Sequence, residues 1–253
     1  MKSIYAMRYV IYVLIISLVS AYLILLAQGY KLNWQTKKFQ KTGAIYVASA
    51  PRDANIYINN KYISDSTPIR YNYVFPGRYD VKISRPEYLD WEKTFYVEVQ
   101  YVSQDSDVIL ILKDKPEVAL TEEEISNDKK YFANSDKMAE QKKDIFIKNE
   151  SEIYFKDVYV TRLSQKITNV VWYTDKKHFI YQTENKIWFM DSDGTNIKLL
   201  AELPSDKKAQ FISSDDGQFL IYENDGQIKK IRLTNVNSIV LEKYLNQAVK
   251  IIK

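Results

Sequence analysis

Residues 42–61 read TGAIYVASAPRDANIYINNK. Two apolar alternations flank a turn. Ile45 and Val47 alternate with Ala44, Tyr46 and Ala48, then Pro51-Arg52-Asp53 intervenes, and Ile56 and Ile58 alternate with Asn55, Tyr57 and Asn59. A period of two places alternate side chains on one face, the mark of a strand with one side on a core. The same pattern recurs at Tyr79, Val81 and Ile83, and at Phe95, Val97 and Val99. The run Val108 to Leu112 is continuously apolar, as in a strand covered on both faces. Asn59-Asn60, Thr67-Pro68, Pro76-Gly77 and Arg85-Pro86 punctuate the runs. Strands at this spacing predict a small antiparallel sandwich or barrel.

Working outward, residues 9–30 (YVIYVLIISLVSAYLILLAQGY) carry no charge. About 20 apolar residues span a bilayer core of about 30 Å. Tyr5, Tyr9 and Tyr12 at one end, and Tyr30 and Trp34 at the other, suit the two interfaces. An uncleaved anchor is expected. A cleaved signal, with Ala27-Gln28-Gly29 near its end, competes, but the apolar run exceeds the usual ~7–15 residues. Lys31, Lys37, Lys38 and Lys41 follow the span, against Lys2 and Arg8 before it. By the positive-inside rule that balance favours a cytoplasmic body, and it conflicts with an extracytoplasmic one.

The 253 residues carry 36 basic and 32 acidic groups without a concentrated basic stripe, so no nucleic-acid partner is expected. With no cysteine and one histidine, His178, there is no disulfide, thiolate zinc site or two-histidine metal motif. No nucleophile elbow or glycine-rich phosphate loop occurs, and no catalytic residue, metal or cofactor is expected. His178 reads as a surface or turn histidine. Asp191-Ser192-Asp193 with Glu202 faintly matches a calcium loop, but Asn196 stands where glycine is required, and a hairpin turn fits better.

The order Thr42-Gly43-Ala44-Ile45-Tyr46-Val47, Pro51-Arg52-Asp53-Ala54, Thr67-Pro68, Phe75-Pro76-Gly77-Arg78-Tyr79, Glu87-Tyr88 and Trp91 resembles the PEGA domain, an all-β module of bacterial and archaeal envelope proteins. Asn60 and Glu87 stand where that family has glycine. The resemblance implies no catalytic residue. It gives structural roles to Pro51, Ala54, Thr67, Pro68, Pro76, Gly77, Tyr79 and Trp91, with Tyr79 and Trp91 as core aromatics. An exposed cluster of Tyr71, Tyr73, Tyr88 and Tyr101 is the candidate platform for sugar stacking.

Further on, residues 149–155, 183–189 and 224–230 echo one another, as do 171–181 and 210–222, at a period of about 40. Ser213-Ser214-Asp215-Asp216-Gly217 and Met190-Asp191-Ser192-Asp193-Gly194 resemble turn elements of TolB-like, WD40-type propellers. Asp193, Gly194, Asp216 and Gly217 are the structural residues this implies. About 100 residues make only two to three blades, fewer than the 4–8 of a closed propeller. Residues 236–253, with Ile239-Val240-Leu241 and Leu245, read as the start of a further unit.

The expected organisation is a flank (1–8), a transmembrane anchor (9–30), a basic stalk (31–41), a PEGA-like β domain (42–115), a linker or short helix (116–143) opened by the capping box Thr121 to Glu124, and partial propeller repeats (144–253). The fold class is all-β with one N-terminal transmembrane helix. The expected role is a non-enzymatic, single-pass envelope protein with its soluble part outside the cytoplasm. It would present β-rich modules to a protein or glycan, with self-association through open sheet edges. A sensor acting through a membrane partner and an envelope glycan hydrolase are the alternatives.

Overall fold

The computed structural model describes residues 2–134, 140 and 142–235. The unit expected to begin after residue 236 lies outside the described residues. The body is mostly β-strand, preceded by one helix, α1 (Lys2–Ala27). Its stretch Met7–Ala27 is long and apolar enough to cross a membrane, and no part of it is buried against the body. Twenty-one residues at ~1.5 Å rise cover ~30 Å, one hydrocarbon thickness.

Gly29, at φ +81°, ends the helix and turns the chain into a hairpin of β1 (Tyr30–Asn33) and β2 (Lys38–Lys41). The expected basic stalk is therefore a paired ribbon. Thr42 fastens its base: the amide and Oγ1 of Thr42 both donate to the Gly29 carbonyl, at 2.9 and 2.8 Å. The helix end is thus tied to the first strand of the body.

The first module is two facing sheets. One has the order β6 (Ile69–Val74), β3 (Gly43–Ala50), β9 (Val102–Ile109). The other has the order β5 (Lys61–Ser64), β4 (Asn55–Ile58), β7 (Gly77–Ser84), β8 (Trp91–Val97). Ile45, Val47, Ile56, Ile58, Val81, Ile83, Trp91, Phe95 and Val97 fill the space between them, the faces the alternation assigns to a core. Two features depart from expectation. β9 runs parallel to β3, so the sandwich is not wholly antiparallel. β3 is buried along nearly its whole length on both faces, because it is the middle strand of its sheet and its other face, Ala44, Tyr46 and Ala48, is covered as well.

Three antiparallel meanders follow. They are β10 (Ile145–Lys148), β11 (Glu152–Phe155) and β12 (Val158–Arg162); then β13 (Ile167–Trp172), β14 (His178–Thr183), β15 (Lys186–Asp191) and β16 (Lys198–Glu202); then β17 (Gln210–Ser213), β18 (Phe219–Asn224) and β19 (Gln227–Arg232). The middle sheet is packed on both faces. Val170, Trp172, Phe179, Tyr181 and Met190 meet Ile145 and Ile153 of the preceding sheet. Val171, Tyr173, Ile180 and Phe189 meet Phe211, Leu220 and Ile231 of the next. Successive side chains therefore serve opposite cores, as the pleat requires. Among the described residues the sheets form an open stack, with no closed barrel or ring.

The connector is more than a solvated linker. Residues 116–118 lie along β19: the Val118 amide donates to Lys230 O at 2.8 Å and Arg232 N to Pro116 O at 3.1 Å. They cover an edge that would otherwise present unpaired backbone groups. Helix α2 (Glu122–Ala133) follows, with the capping box formed as its spacing predicts. Glu124 N donates to Thr121 Oγ1, and Thr121 N donates to Glu124 Oε2 at 2.9 Å. Phe132 buries on Ile212 and Ile221, docking the helix on the outer face of the last sheet.

Candidate functional site

The two β modules meet along the segment that reads as one apolar run. Val108, Leu110 and Leu112 point into the first module's core, while Ile109 and Ile111 point into the core shared with the last two sheets. A fully buried side chain of this size contributes roughly 1.5–3 kcal/mol. The run is thus a wall common to both modules. The Leu89 amide donates to Ile111 O and the Leu112 amide to Leu233 O, both at 2.8 Å, extending the seam.

Beside this seam lies a buried polar cluster. His178 opens β14 and Asp191 closes β15, and these two residues are register partners, so their side chains share one face. Asp175 occupies the turn before β14, where Oδ1 accepts the amides of Lys177 (2.8 Å) and His178 (3.2 Å). The imidazole lies between the two acids, with Nδ1 2.6 Å from Asp175 Oδ2 and Nε2 3.4 Å from Asp191 Oδ1. It stacks on Phe189, with ring centroids 4.9 Å apart, and the residue is only 3% exposed. The expectation of a surface or turn histidine is therefore wrong: strand pairing carries the ring inward. Burial alone would lower the His178 pKa, but the hydrogen bonds and charges of Asp175 and Asp191 outweigh it and raise the value to about 10.

Asp191 also reaches the first module. The Trp91 indole Nε1 donates to Asp191 Oδ2 at 3.0 Å, and Asn196 Nδ2 donates to the same oxygen at 3.0 Å. Asn196 in turn accepts the Glu92 amide at 3.0 Å. Lys93 Nζ sits between Asp105 (2.8 Å) and Asp193 (2.7 Å). Burial would depress its pKa, but the two carboxylates raise it well above the ordinary lysine range. Burial likewise opposes ionisation of Asp193, yet Lys93 and the Thr195 hydrogen bonds leave its pKa lowered. Lys177 pairs with Asp107 at 2.7 Å, and Lys198 Nζ donates to Asp90 O at 2.6 Å.

The expected turn residues Asp193 and Gly194 thus form the seat of this joint. Gly194 N donates to Asp191 O (2.9 Å), and Thr195 N donates to Asp193 Oδ1 (3.1 Å). Gly194, at φ +84°, packs so closely on β12 that an added Cβ would lie 3.0 Å from Thr161 Cβ. Asp216 and Gly217 form the corresponding turn in the last sheet. Asp216 Oδ1 accepts the Gln218 amide (2.9 Å), and Gly217 O accepts the buried Tyr173 hydroxyl. In the first module, Thr67 is buried with its hydroxyl 2.7 Å from Ser49 Oγ, beside Pro68 and Pro51. Ala54 and Trp91 are in the core, and Tyr79 packs against it while its hydroxyl donates to Phe75 O at 2.9 Å, near Pro76 and Gly77.

The four tyrosines do not make one platform. Tyr88 is 3% exposed and belongs to the core, because it bridges to Leu112 at the seam. Tyr71 and Tyr73 lie exposed on β6, and Tyr73 shares a cleft of about 330 Å³ with Tyr101, Arg70 and the end of α1. A second cleft, of about 390 Å³, opens on the polar joint and is lined by Lys93, Asp105, Asp107, Lys177, His178 and Asp193. The two carboxylates favour the imidazolium form of His178 at the edge of this cleft. Among the described residues no group of three or more histidine or acidic side chains is placed to hold a metal ion.

Sequence reasoning missed this joint because its members are about 100 positions apart. The signal present was a tryptophan between Asp90 and Glu92 and a histidine three residues after Asp175, with nothing to pair them. Residues 42–106 match the family model of the PEGA domain. No curated protein matches the chain.

Proposed function

We propose that this chain is a non-enzymatic, membrane-anchored envelope protein. Met7–Ala27 serves as an uncleaved single span, and the β modules lie on the extracytoplasmic side. The three meanders are blades of a partial propeller of the TolB and WD40 kind, joined rigidly to a PEGA-type module beside the bilayer. Such a body presents a sheet surface at a fixed offset from the membrane, for recognition of a protein or an envelope glycan.

The observation that carries this reading is the joint from Trp91 through Asp191 to His178, laid beside the shared wall Val108 to Leu112. Tethering two independent modules requires only a linker and no shared core. Here the modules share a core and buried charges, which supports a presenting scaffold of fixed geometry. The acids of the adjoining cleft are engaged by Lys93 and Lys177, and this favours binding or structure over hydrolysis.

Protease added to intact cells, with any outer layer opened, tests the reading through a C-terminal epitope. The epitope should be digested in intact cells, and the N-terminal fragment should remain in the membrane after alkaline extraction. Protection until lysis would place the body in the cytoplasm, and a soluble full-length product would remove the anchor.

A further inference from the structure

The β1–β2 hairpin has features that the anchor alone does not require. No acidic residue precedes Asp53, while Lys31, Lys37, Lys38 and Lys41 lie within or beside these two strands. None of the four is paired with a carboxylate among the described residues. Lys31 Nζ donates to Tyr73 O and lies over the Phe75 ring, and Lys41 reaches Gln100 and the Tyr30 ring. Trp34, at the tip, is 82% exposed, and Phe39 is 46% exposed.

The register pairs Leu32 with Phe39 and Lys31 with Gln40, so these pairs occupy opposite faces. At the base each face sends one lysine to the body, Lys31 to Tyr73 and Lys41 to Gln100, while Trp34 and Phe39 farther out remain exposed. Four residues per strand reach only about 13 Å from the helix end at ~3.3 Å each, so the hairpin cannot leave the zone of the bilayer surface. Beside it, Arg70, Tyr73 and Tyr101 line the cleft that meets Leu26, Ala27 and Gly29.

We propose that the hairpin is a lipid-contacting element: Trp34 and Phe39 insert at the interface of an anionic leaflet, and Lys37 and Lys38 engage its headgroups. An exposed tryptophan is at home at that depth, where its ring is buried and its N–H stays wet. Each lysine near an anionic surface shifts the seated equilibrium about fivefold. This inference rests on the anchor reading above.

The test uses the full chain reconstituted in vesicles of phosphatidylcholine, alone or with phosphatidylglycerol, both with brominated acyl chains. Vesicle flotation reports the span. Bromine quenching lost in a Trp34→Phe variant reports the hairpin, since Trp91 and Trp172 are buried and Trp188 is partly so. Quenching that depends on Trp34, is stronger with phosphatidylglycerol and falls to the neutral-lipid level in Lys37→Gln/Lys38→Gln is expected. Flotation without Trp34-dependent quenching overturns this inference and leaves the anchor standing. Equal quenching in both lipids removes the headgroup part. Failure to float overturns the anchor and the hairpin role together.

Discussion

At the scale of single residues, backbone conformation decides several substitutions. Asn60 and Glu87 adopt φ of +61° and +70°, where a side chain is disfavoured. Asparagine tolerates that region, whereas a glutamate there costs about 1–2 kcal/mol. Glu87 is exposed, and its structural role is to present a carbonyl to the Lys113 amide at 2.8 Å. Glu87→Gly keeps that bond and should stabilise the protein by about 0.5–1 kcal/mol, after subtracting glycine's greater unfolded-state freedom. Urea titration measures it, and an unchanged midpoint would show that the strain is relieved elsewhere. Gly43 is the opposite case. A Cβ there would stand 2.4 Å from Glu98 O and 2.7 Å from Tyr101 O, both backbone atoms. Gly43→Ala should destabilise by about 1–3 kcal/mol through forced backbone displacement. The requirement at Asn60 and Glu87 was legible from a resemblance to turns that carry glycine. The crowding at Gly43 was not, since it depends on a chain segment 55 residues away.

At the scale of elements, the capping box and the alternating strands were legible because both arise from neighbours in sequence. Thr121 and Glu124 are one helical turn apart, and they close on each other as the spacing requires. Where α2 docks was not legible. Tyr131 and Phe132 are the two aromatics of a charged helix, and only the folded chain brings Phe132 to Ile212 and Ile221. Phe132→Ala should cost about 2–4 kcal/mol and free the helix. Hydrogen exchange would then speed up in α2 before it does in β13–β15, whereas uniform acceleration would mean that the helix is integral to the stack. The basic segment after the span reads as a stalk, because four-residue strands have too short a pattern to register. Pairing of Leu32 with Phe39 makes it a ribbon.

At the scale of the molecule, pH should reveal the joint. The form of His178 held by Asp175 and Asp191 is protonated, and its folded pKa is about 10 against an ordinary 6.5. Stability from this group is therefore full below about pH 6.5 and is lost as pH rises toward 10. Thermal denaturation from pH 6.5 to 10 should show a falling Tm in the native protein and a flatter profile in His178→Gln. Equal slopes would show that the imidazolium is not the group concerned. His178→Ala should cost about 3–5 kcal/mol at pH 7, because the buried Asp191 and the partly buried Asp175 lose their counter-charge.

Sequence by itself determined the β-strand character of the body, the apolar N-terminal helix, the turns and the cap. Each of these follows from the chemistry of residues within a few positions of one another. Tertiary structure alone decided that Val108 to Leu112 serves two cores, that Tyr88 is interior, and that Trp91, Asp191 and His178 meet. Periodicity records which face of a strand is apolar, but not which partner covers it. A buried charge becomes tolerable only when a distant opposite charge is carried to it, and that match is made by the folded chain.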